Sequence, residues 1–518
     1  VVKYRGLKGD NKKILKTIDN PADFISAAQL EELPDETAAP TAEGLFPAAL
    51  VEAEYLIITV QDLMAEFQVL AAHRASGAGG GYTTHIETTV NIEASYPGDD
   101  LAEKIRNYIV DMYGLGTRYV VLGGDIHLIP TRGCYAVVSG TIDNNIPSDL
   151  YFGCLDGPWD GDGDGIWGET NDGIGGEDID WQSEVYVGRI SADNTDEAGN
   201  QIGKIIASEI VTPLNRTLMV GENLDDVPSW GGDRMDWVYS FMNGTPKNEL
   251  YDRDHSTKNW PKLDLIGLLN SNQHHWVNHL GHSSSAYNMK MGVSDIGSLA
   301  NNEYFLVYSQ GCYSGNIEYG DCFGEAITNH YDDGGAYAYI GNSRYGWYNP
   351  GTYVQGASNL MHKEFVEAVL TDGYTKLGEA NQIPKADLHS GVYRWIAFEL
   401  NLLGCPAHVL NPTVCLDDAD CSDGIYCNGD ETCVSGECQP GAPDVCPDNG
   451  LFCDGEETCD EINDLCGHSG DPCTAGTTCN EVTDTCEGTD PCNYNGQCEQ
   501  DEDCTTCPAD WISGGGDG

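Results

Sequence analysis

A cysteine and a histidine each follow a short apolar run in the second half of the chain. Cys312 comes after 304–308 in YFLVYSQGCYSG, and His282 comes after 277–280 in NHLGHSSS. A thiol and an imidazole held together form a nucleophile and a proton shuttle. The non-catalytic alternative is that Cys312 is half-buried in a disulfide with Cys322 and that the histidine packs in the core. For Cys312 and His282 to act together, the two apolar runs that precede them must form neighbouring strands.

Apolar periodicity along residues 51–411 predicts the elements that would position this pair. Strands are predicted at 55–60, 85–92, 118–122, 184–190, 217–220, 277–280, 304–308 and 335–340, and helices at 62–73, 101–113, 201–210, 235–242, 263–270, 352–370 and 389–402. Such alternation predicts an α/β fold, a mostly parallel sheet sandwiched by helices in two tandem halves. The carboxyl ends of parallel strands share one sheet edge, so His282 and Cys312 would face one crevice.

Composition divides the 518 residues into further regions. We expect a pro-region remnant or linker at 1–50, a first α/β subdomain at 51–210 and a catalytic α/β subdomain at 211–411. A Cys-rich acidic repeat region at 412–508 and a flexible tail at 509–518 follow. The chain starts at Val1 without a charged and apolar leader, which fits a processed product.

The region from Thr413 onward has 26 Asp and Glu, no Lys or Arg, and 16 of the 21 cysteines. CNGDETC at 427–433 recurs as CDGEETC at 453–459. So many cysteines among so few large apolar residues predict an irregular, disulfide-rich region in an extracytoplasmic protein. Zinc is the alternative, but only Cys504 and Cys507 have its close spacing.

The five cysteines before this region are an odd number. They stand at positions 134, 154, 312, 322 and 405. The simplest arrangement is two disulfides with Cys312 left free.

A formal charge of −58 argues against nucleic acid as a partner, because phosphate binding needs clustered Lys and Arg. Divalent cations and basic peptides remain as partners, and solubility of a secreted protein is the other explanation of the acidity. The sequence has no run of 18 apolar residues that would span a bilayer.

Several motifs together resemble the gingipain-type family of cysteine peptidases, in the caspase-like clan. They are YLIIT at 55–59, YVVLGGD at 119–125, PSDLY at 147–151, the acidic loop at Asp160, VYVGR at 185–189, NHLGH at 278–282, QGC at 310–312 and NLLGCP at 401–406. The similarity is nearest to the arginine-specific gingipains. Two residues depart from the family pattern, since Ser283 replaces a Gly and Cys405 an Asp.

The resemblance implies a secreted cysteine endopeptidase that acts on proteins or peptides. Cys312 would be the nucleophile and His282 the general acid and base. Glu222 follows the predicted strand at 217–220, which would bring it to the same sheet edge as this pair to orient His282. The backbone amides of Cys312 and Ser283 would bind the oxyanion. His279 is a rival to His282, but residues 279 and 282 point to opposite faces of a strand, and the position after Gly281 favours His282.

The resemblance also implies selection of Arg, and less readily Lys, before the cleaved bond. Asp233 stands eleven residues after Glu222, where a specificity carboxylate would pair with a guanidinium. Trp347 would cover the pocket as an aromatic lid. The alternatives are that Asp233 caps a helix beginning near Met235 and that Trp347 is ordinary packing.

An acidic loop carries carboxylates at every second position. Asp160, Asp162 and Asp164 alternate with glycines and Glu169 follows, a pattern typical of a structural Ca²⁺ site, with Asp156 or Asp178 completing the shell. A solvated acidic turn is the alternative.

Three functions fit these features. The first is the endopeptidase, and the second is a transpeptidase that passes the acyl group to an amine. The third is a surface or assembly scaffold whose Cys-rich tail contacts a cell surface or extracellular matrix.

Overall fold

The computed structural model describes most of residues 50–410 and parts of the Cys-rich region. The described residues are 50–170, 179–210, 216–226, 229–242, 244–351, 354–410, 432–434, 437–439, 441, 446, 449–455, 457–460, 465–474 and 477–488. The predicted pro-region or linker at 1–49, Asp178, the Cys504 and Cys507 pair and the tail at 509–518 lie outside them.

The strands of residues 50–410 are short, and those at the centre of the main sheet are buried. They are β1 (Tyr55–Thr59), β2 (Thr84–Thr88), β3 (Tyr119–Gly123), β4 (Arg132–Val138), β5 (Thr141–Ser148), β6 (Tyr186–Ile190), β7 (Thr217–Gly221), β8 (Lys247–Tyr251), β9 (Trp276–Leu280), β10 (Tyr287–Asn288), β11 (Met291–Gly292), β12 (Phe305–Ser309), β13 (Ala336–Asn342) and β14 (Leu400–Leu403). Continuous burial along strands such as β1, β9 and β12 is typical of a parallel sheet covered on both faces.

The helices lie between these strands. They are α1 (Met64–Ala75), α2 (Thr89–Ser95), α3 (Leu101–Gly114), α4 (Thr195–Ile210), α5 (Gly231–Tyr239), α6 (Lys262–Leu269), α7 (Phe323–Asn329), α8 (Ala357–Leu370), α9 (Leu377–Asp387) and α10 (Val392–Glu399).

Ten strands form one sheet in the order β2-β1-β3-β6-β14-β13-β12-β9-β7-β8. Neighbours are parallel except β13 and β14, which are antiparallel. The strands on the two sides of this pair therefore run in opposite directions. The predicted mostly parallel α/β sheet is confirmed, and its two halves form one continuous sheet.

Side chains of β12 alternate between two apolar clusters, which shows that helices cover both faces. Phe305 and Val307 pack in a cluster with α6 and α7, whereas Leu306 and Tyr308 belong to the larger cluster that includes α5 and α8. The strand that precedes the predicted nucleophile is thus held by packing from both sides.

Several predicted element boundaries are wrong, and two of them have a clear physical cause. The predicted helix at 389–402 stops at Glu399, because Leu400–Leu403 pairs with both β13 and β6 at the sheet centre. The predicted strand at 85–92 stops at Thr88, whose hydroxyl accepts from the Asn91 amide and caps α2. In both places the apolar pattern alone is compatible with helix or strand, and a tertiary or capping contact determines where one ends and the other begins.

The Cys-rich region forms small hairpins held by disulfides. The strand pairs are β15 (Thr432–Val434) with β16 (Glu437–Gln439), β17 (Glu457–Asp460) with β18 (Leu465–His468), and β19 (Thr477–Asn480) with β20 (Thr485–Gly488). Cys453 bonds to Cys479 and Cys473 to Cys486. The predicted disulfide-rich region is therefore confirmed where the structure describes it.

The expectation of two disulfides before this region is wrong. All five cysteines there are free thiols, and Cys134, Cys154, Cys322 and Cys405 are buried. Cys405 accepts a hydrogen bond from Arg74 at 3.2 Å and lies 2.9 Å from the Tyr55 hydroxyl. Cysteine parity therefore does not single out Cys312. Among the described residues, no helix combines the length and apolarity needed to cross a membrane.

Candidate active site

The parallel pairing of β9 and β12 brings the predicted nucleophile and base to one sheet edge. His279 is the register partner of Ser309, at the carboxyl ends of the two strands. His282 and Cys312 each follow three residues later. The two reactive side chains therefore stand on adjacent loops at equal distance beyond a paired position, as sheet topology predicted.

The two histidines of NHLGH have different environments. His279 is fully buried, with Nδ1 2.9 Å from the Ser309 hydroxyl and Nε2 3.2 Å from a Glu222 carboxylate oxygen. His282 is exposed on the loop after β9. Of the two, only His282 is open to a substrate.

Cys312 is half-buried in the loop after β12. Burial raises the pKa of its thiol, the nearby backbone N–H of Gly346 opposes that rise, and the carboxylate of Glu399 adds to it. The thiol is therefore protonated at neutral pH in this arrangement and needs a base to take its proton when it attacks.

Ser283 joins the two loops directly. Its hydroxyl donates to the carbonyl oxygen of Cys312 at 2.7 Å. The loops approach so closely that a Cβ atom on Gly311 would overlap the Ser283 side chain. The residue that departs from the family pattern therefore lies between the predicted base and the predicted nucleophile.

Glu222 follows β7 at the same edge, as predicted, but its hydrogen-bond partner is His279 rather than His282. A Cβ atom on Gly281 would overlap both the Glu222 carboxylate and the His279 ring. The Glu222 carboxylate thus lies close to Gly281, the residue before His282, and supports the loop at that point. The direct orientation of His282 by Glu222, expected from the resemblance, has no hydrogen bond between them in the described structure to support it.

Two polar residues near the pair were not singled out by the sequence. The Tyr348 hydroxyl donates to Asp225 at 2.7 Å. Hydrogen bonds from Tyr348 and Ser229 lower the pKa of Asp225, and the charges of Arg234 and His282 lower it further. Burial and the Asp225 contact raise the pKa of Tyr348 to about 12, with a smaller contribution from Cys312. Asp225 lies in the segment after β7, as Glu222 does, so its position after a strand could have identified it as a candidate site residue.

Asp233 lies in the first turn of α5 and forms an ion pair with Arg253. Its side chain is 40% exposed, and Arg253 also pairs with Asp236. Trp230, rather than Asp233, is the N-cap residue of α5, so the capping alternative is not what the helix shows. Arg253 therefore already engages one of the two carboxylate oxygens of Asp233.

The neighbour of Asp233, Arg234, is buried and ties α5 to the loop after β13. It donates to the carbonyls of Trp230, Asn349 and Gly351. This loop carries Tyr348 beside Asp225, so Arg234 helps to fix that wall of the site.

Trp347 is half-buried on the loop after β13. Its ring packs edge to face against Trp395 at 5.8 Å, and its backbone N–H donates to the Ser358 hydroxyl at 2.9 Å. Packing therefore holds this side chain on the loop that also carries Gly346 and Tyr348. Its role as a pocket lid stays a prediction.

The acidic loop has the turn that its glycines predict. Asp160 accepts the backbone amides of Gly163, Asp164 and Gly165 at 2.9, 3.0 and 3.0 Å. Ligand oxygens of Asp160, Asp162 and Asp164 lie within 4.8 Å of one another. Three clustered hard oxygen donors suit Ca²⁺.

The other predicted ligands of this loop are placed differently. Among the described residues, Glu169 does not join the three aspartates, and Asp156 groups instead with Asp180 and Glu184. Burial raises the pKa of Glu184 to about 7, and Asp156 and Asp180 contribute to the rise. The loop therefore offers three carboxylates of the predicted set.

Comparison with known proteins identifies the family. A model of the family described as Peptidase family C25 matches residues 49–411. Lys-gingipain HG66 and Lys-gingipain 381 of Porphyromonas gingivalis are each 26% identical over 200 residues, which is 36% of this chain. The match spans only 11% of the length of these curated relatives.

Solved structures share the fold at low identity. A complex of Porphyromonas gingivalis RgpB pro- and mature domains is 16% identical, with a TM-score of 0.53, over 69% of this chain and 79% of that chain. The Arg-specific cysteine proteinase gingipain R is 16% identical, with a TM-score of 0.52, over 70% of this chain and 80% of that chain. The predicted resemblance to the gingipain-type family is confirmed. The names of the similar proteins include both Lys-gingipain and an Arg-specific gingipain.

Proposed function

Because this chain belongs to peptidase family C25, we propose that it is a cysteine endopeptidase that cleaves after basic residues, preferring Arg to Lys. Cys312 is the nucleophile and His282 the general acid and base. The observation that carries this proposal is the joined pair of loops after β9 and β12, with the Ser283 hydroxyl 2.7 Å from the Cys312 carbonyl. Proteins and peptides are the substrate class.

The reaction follows from the groups present. The Cys312 sulfur bonds to the scissile carbonyl carbon while His282 takes the thiol proton. The amides of Cys312 and Ser283 donate to the resulting oxyanion. His282 then gives its proton to the departing amine, and the C–N bond breaks. Water, deprotonated by His282, hydrolyses the thioester and restores the thiol.

Selection of a basic side chain is assigned to Asp225 rather than to Asp233. Asp225 is close enough to His282 to interact with it electrostatically, and the Tyr348 hydroxyl donates to its carboxylate. One oxygen of Asp233 is already paired with Arg253. A carboxylate beside the reactive pair would attract a guanidinium or an ammonium, and a guanidinium would gain the additional bidentate hydrogen bond.

We further propose that the acidic loop binds a structural Ca²⁺ ion through Asp160, Asp162 and Asp164. The donor set supports this proposal, since the three carboxylates converge and the backbone amides already orient Asp160. The ion would stabilise the loop and take no part in peptide hydrolysis. Secretion, and contact of the Cys-rich region with a cell surface or matrix, remain proposals that its disulfides favour.

Removal of the nucleophile tests the function. Cys312→Ala should abolish hydrolysis of fluorogenic peptides ending in Arg, with a loss of at least about 10³-fold, because the covalent step needs the sulfur. Wild type should cleave Arg peptides faster than Lys peptides and not cleave Asn peptides measurably. Cys134→Ala, which removes another free thiol, is the control and should retain turnover.

Equal turnover by wild type and Cys312→Ala would contradict the proposal. A ligated product that appears when an amine acceptor is added, with little hydrolysis, would instead favour the transpeptidase. An inert thiol at Cys312 and no turnover of any peptide would favour the scaffold.

A further inference from the structure

We propose that the Ser283 side chain is a positioning group that fixes the peptide unit between Cys312 and Tyr313. This inference rests on the proposed function and deepens it. Its starting point is the hydrogen bond of 2.7 Å from the Ser283 hydroxyl to the Cys312 carbonyl oxygen. The bond joins loops that are 29 residues apart in sequence.

The same peptide unit is held from its other side. The Tyr313 N–H donates to the carbonyl of Arg344 at 2.7 Å. The carbonyl oxygen of Cys312 and the N–H of Tyr313 belong to one planar group, so bonds at both ends prevent its rotation. Three loops, after β9, β12 and β13, therefore meet at this one peptide unit.

The backbone on one side of this unit is in an unfavourable conformation. Tyr313 has a φ of 59°, in the left-handed region that residues with a side chain rarely adopt. A conformation of this kind persists only where surrounding contacts hold it. The Ser283 and Arg344 hydrogen bonds are two contacts that hold the peptide unit directly before this residue.

Steric fit supports a specific place for the serine. Gly311 presents no side chain, and a Cβ atom there would overlap the Ser283 oxygen and Cβ. Ser283 is half-buried in the gap between the loops. Its hydroxyl therefore has a fixed direction, toward the carbonyl of the nucleophile.

This arrangement controls the proposed oxyanion site. The two amides assigned to it are those of Ser283 and Cys312, the residues that the hydrogen bond joins. Fixing the Cys312 carbonyl restrains the ψ rotation of Cys312, and its bond to Ser283 restrains the distance between the two loops that carry these amides. Oxyanion donors act by being preorganised at the position where charge develops, so a loosened pair loses transition-state stabilisation more than substrate binding.

The test removes the hydroxyl and leaves the rest of the loop. Ser283→Ala and Ser283→Gly are compared in the full chain with Ser284→Ala, a matched control whose side chain is exposed on the same loop. We expect both Ser283 variants to lower kcat about tenfold with KM changed less than about twofold. A peptide aldehyde ending in Arg, whose thiol adduct places an oxygen in the oxyanion site, should bind about tenfold more weakly.

A readout independent of turnover separates this inference from the proposed function. Hydrogen exchange at the Tyr313 amide should quicken about tenfold in both Ser283 variants and stay unchanged in Ser284→Ala, whether or not any peptide is cleaved. Alkylation of Cys312 by iodoacetamide should change less than about twofold, because the thiol itself is untouched.

The inference is overturned if exchange at Tyr313 is the same in wild type and Ser283→Ala. It is equally overturned if kcat and aldehyde affinity of both Ser283 variants stay within about twofold of wild type. A wild type without peptidase activity, but with the exchange difference, would refute the proposed function and keep the positioning role.

Discussion

At the residue scale, the site depends on which carboxylate faces the reactive pair. Glu222 hydrogen bonds to His279, Asp233 pairs with Arg253, and Asp225 is held by Tyr348 within reach of the charge of His282. These three residues lie close together in sequence, and only their side-chain partners separate their roles. Asp225 is therefore the carboxylate whose removal should alter substrate preference.

Asp225→Asn should reduce kcat/KM for Arg peptides by about 10- to 100-fold, since a charge-assisted pair with the substrate guanidinium is lost. Asp233→Asn should cost less than about threefold, because its partner is Arg253. Steady-state kinetics on Arg and Lys peptides measures both. Asp226→Asn, at the exposed neighbouring position, is the control. A larger loss in Asp233→Asn than in Asp225→Asn would restore the assignment made from the sequence.

At the element scale, three adjacent strands and the segments that follow them are joined by one buried hydrogen-bonded chain. Glu222 after β7, His279 in β9 and Ser309 in β12 form a buried hydrogen-bonded chain across three adjacent strands. The Ser309 hydroxyl also accepts the Gly311 amide at 3.2 Å. The chain therefore supports the loops of both His282 and Cys312 from below.

Glu222→Gln should lower the free energy of unfolding by about 1–3 kcal/mol, because a buried hydrogen bond to a carboxylate is weakened. It should lower kcat without moving the pH dependence of kcat/KM, since Glu222 contacts His279 and not His282. Chemical denaturation and pH–rate profiles measure these effects. Glu303→Gln is the matched control, because Glu303 also pairs with a histidine, His275, but before the start of β9 and β12. A shifted pH profile in Glu222→Gln would show direct action on His282.

The acidic loop is a second element with its own test. In chelator-treated protein, Ca²⁺ at about 100 times its Kd should raise the free energy of unfolding by about 2.7 kcal/mol. Asp162→Asn should reduce that gain because it removes a charged ligand, whereas Asp62→Asn, exposed and outside the loop, should not. Thermal unfolding with and without Ca²⁺ measures the difference. Equal unfolding curves in wild type would show that the loop is a solvated turn.

At the scale of the whole molecule, the two oppositely directed halves of the sheet meet through a buried carboxyl group. Glu325 in α7 accepts the Ser191 hydroxyl, which follows β6, at 2.6 Å. Its other oxygen accepts the Cys322 amide at 2.8 Å. Burial raises the pKa of Glu325 to about 8, and the charge of Asp125 contributes.

Stability should therefore depend on pH through Glu325. The folded pKa is above the ordinary value of 4.5, so the folded state holds the proton more tightly than the unfolded state does. The resulting stabilisation is complete below pH 4.5 and is lost as pH rises to about 8. Glu325→Gln should flatten this part of the unfolding free energy curve, whereas exposed Glu93→Gln should leave it unchanged. Parallel curves for wild type and Glu325→Gln would contradict the assignment.

The sequence by itself determined the α/β class, the order of most elements, the disulfide-rich region and the family. These follow from local apolar periodicity, composition and short motifs, which act within a few residues. The sequence also predicted that β9 and β12 are neighbouring parallel strands that end at one sheet edge, and they pair in this way.

Only the tertiary structure decided which side chains are partners. Leu400–Leu403 forms a strand because it pairs with two strands distant in sequence, and all five cysteines before the Cys-rich region are free thiols. Glu222 is hydrogen bonded to His279, Asp233 forms an ion pair with Arg253, and the Ser283 hydroxyl donates to the carbonyl of Cys312. Hydrogen bonds and ion pairs act over a few ångströms between residues far apart in sequence, so no local pattern encodes them.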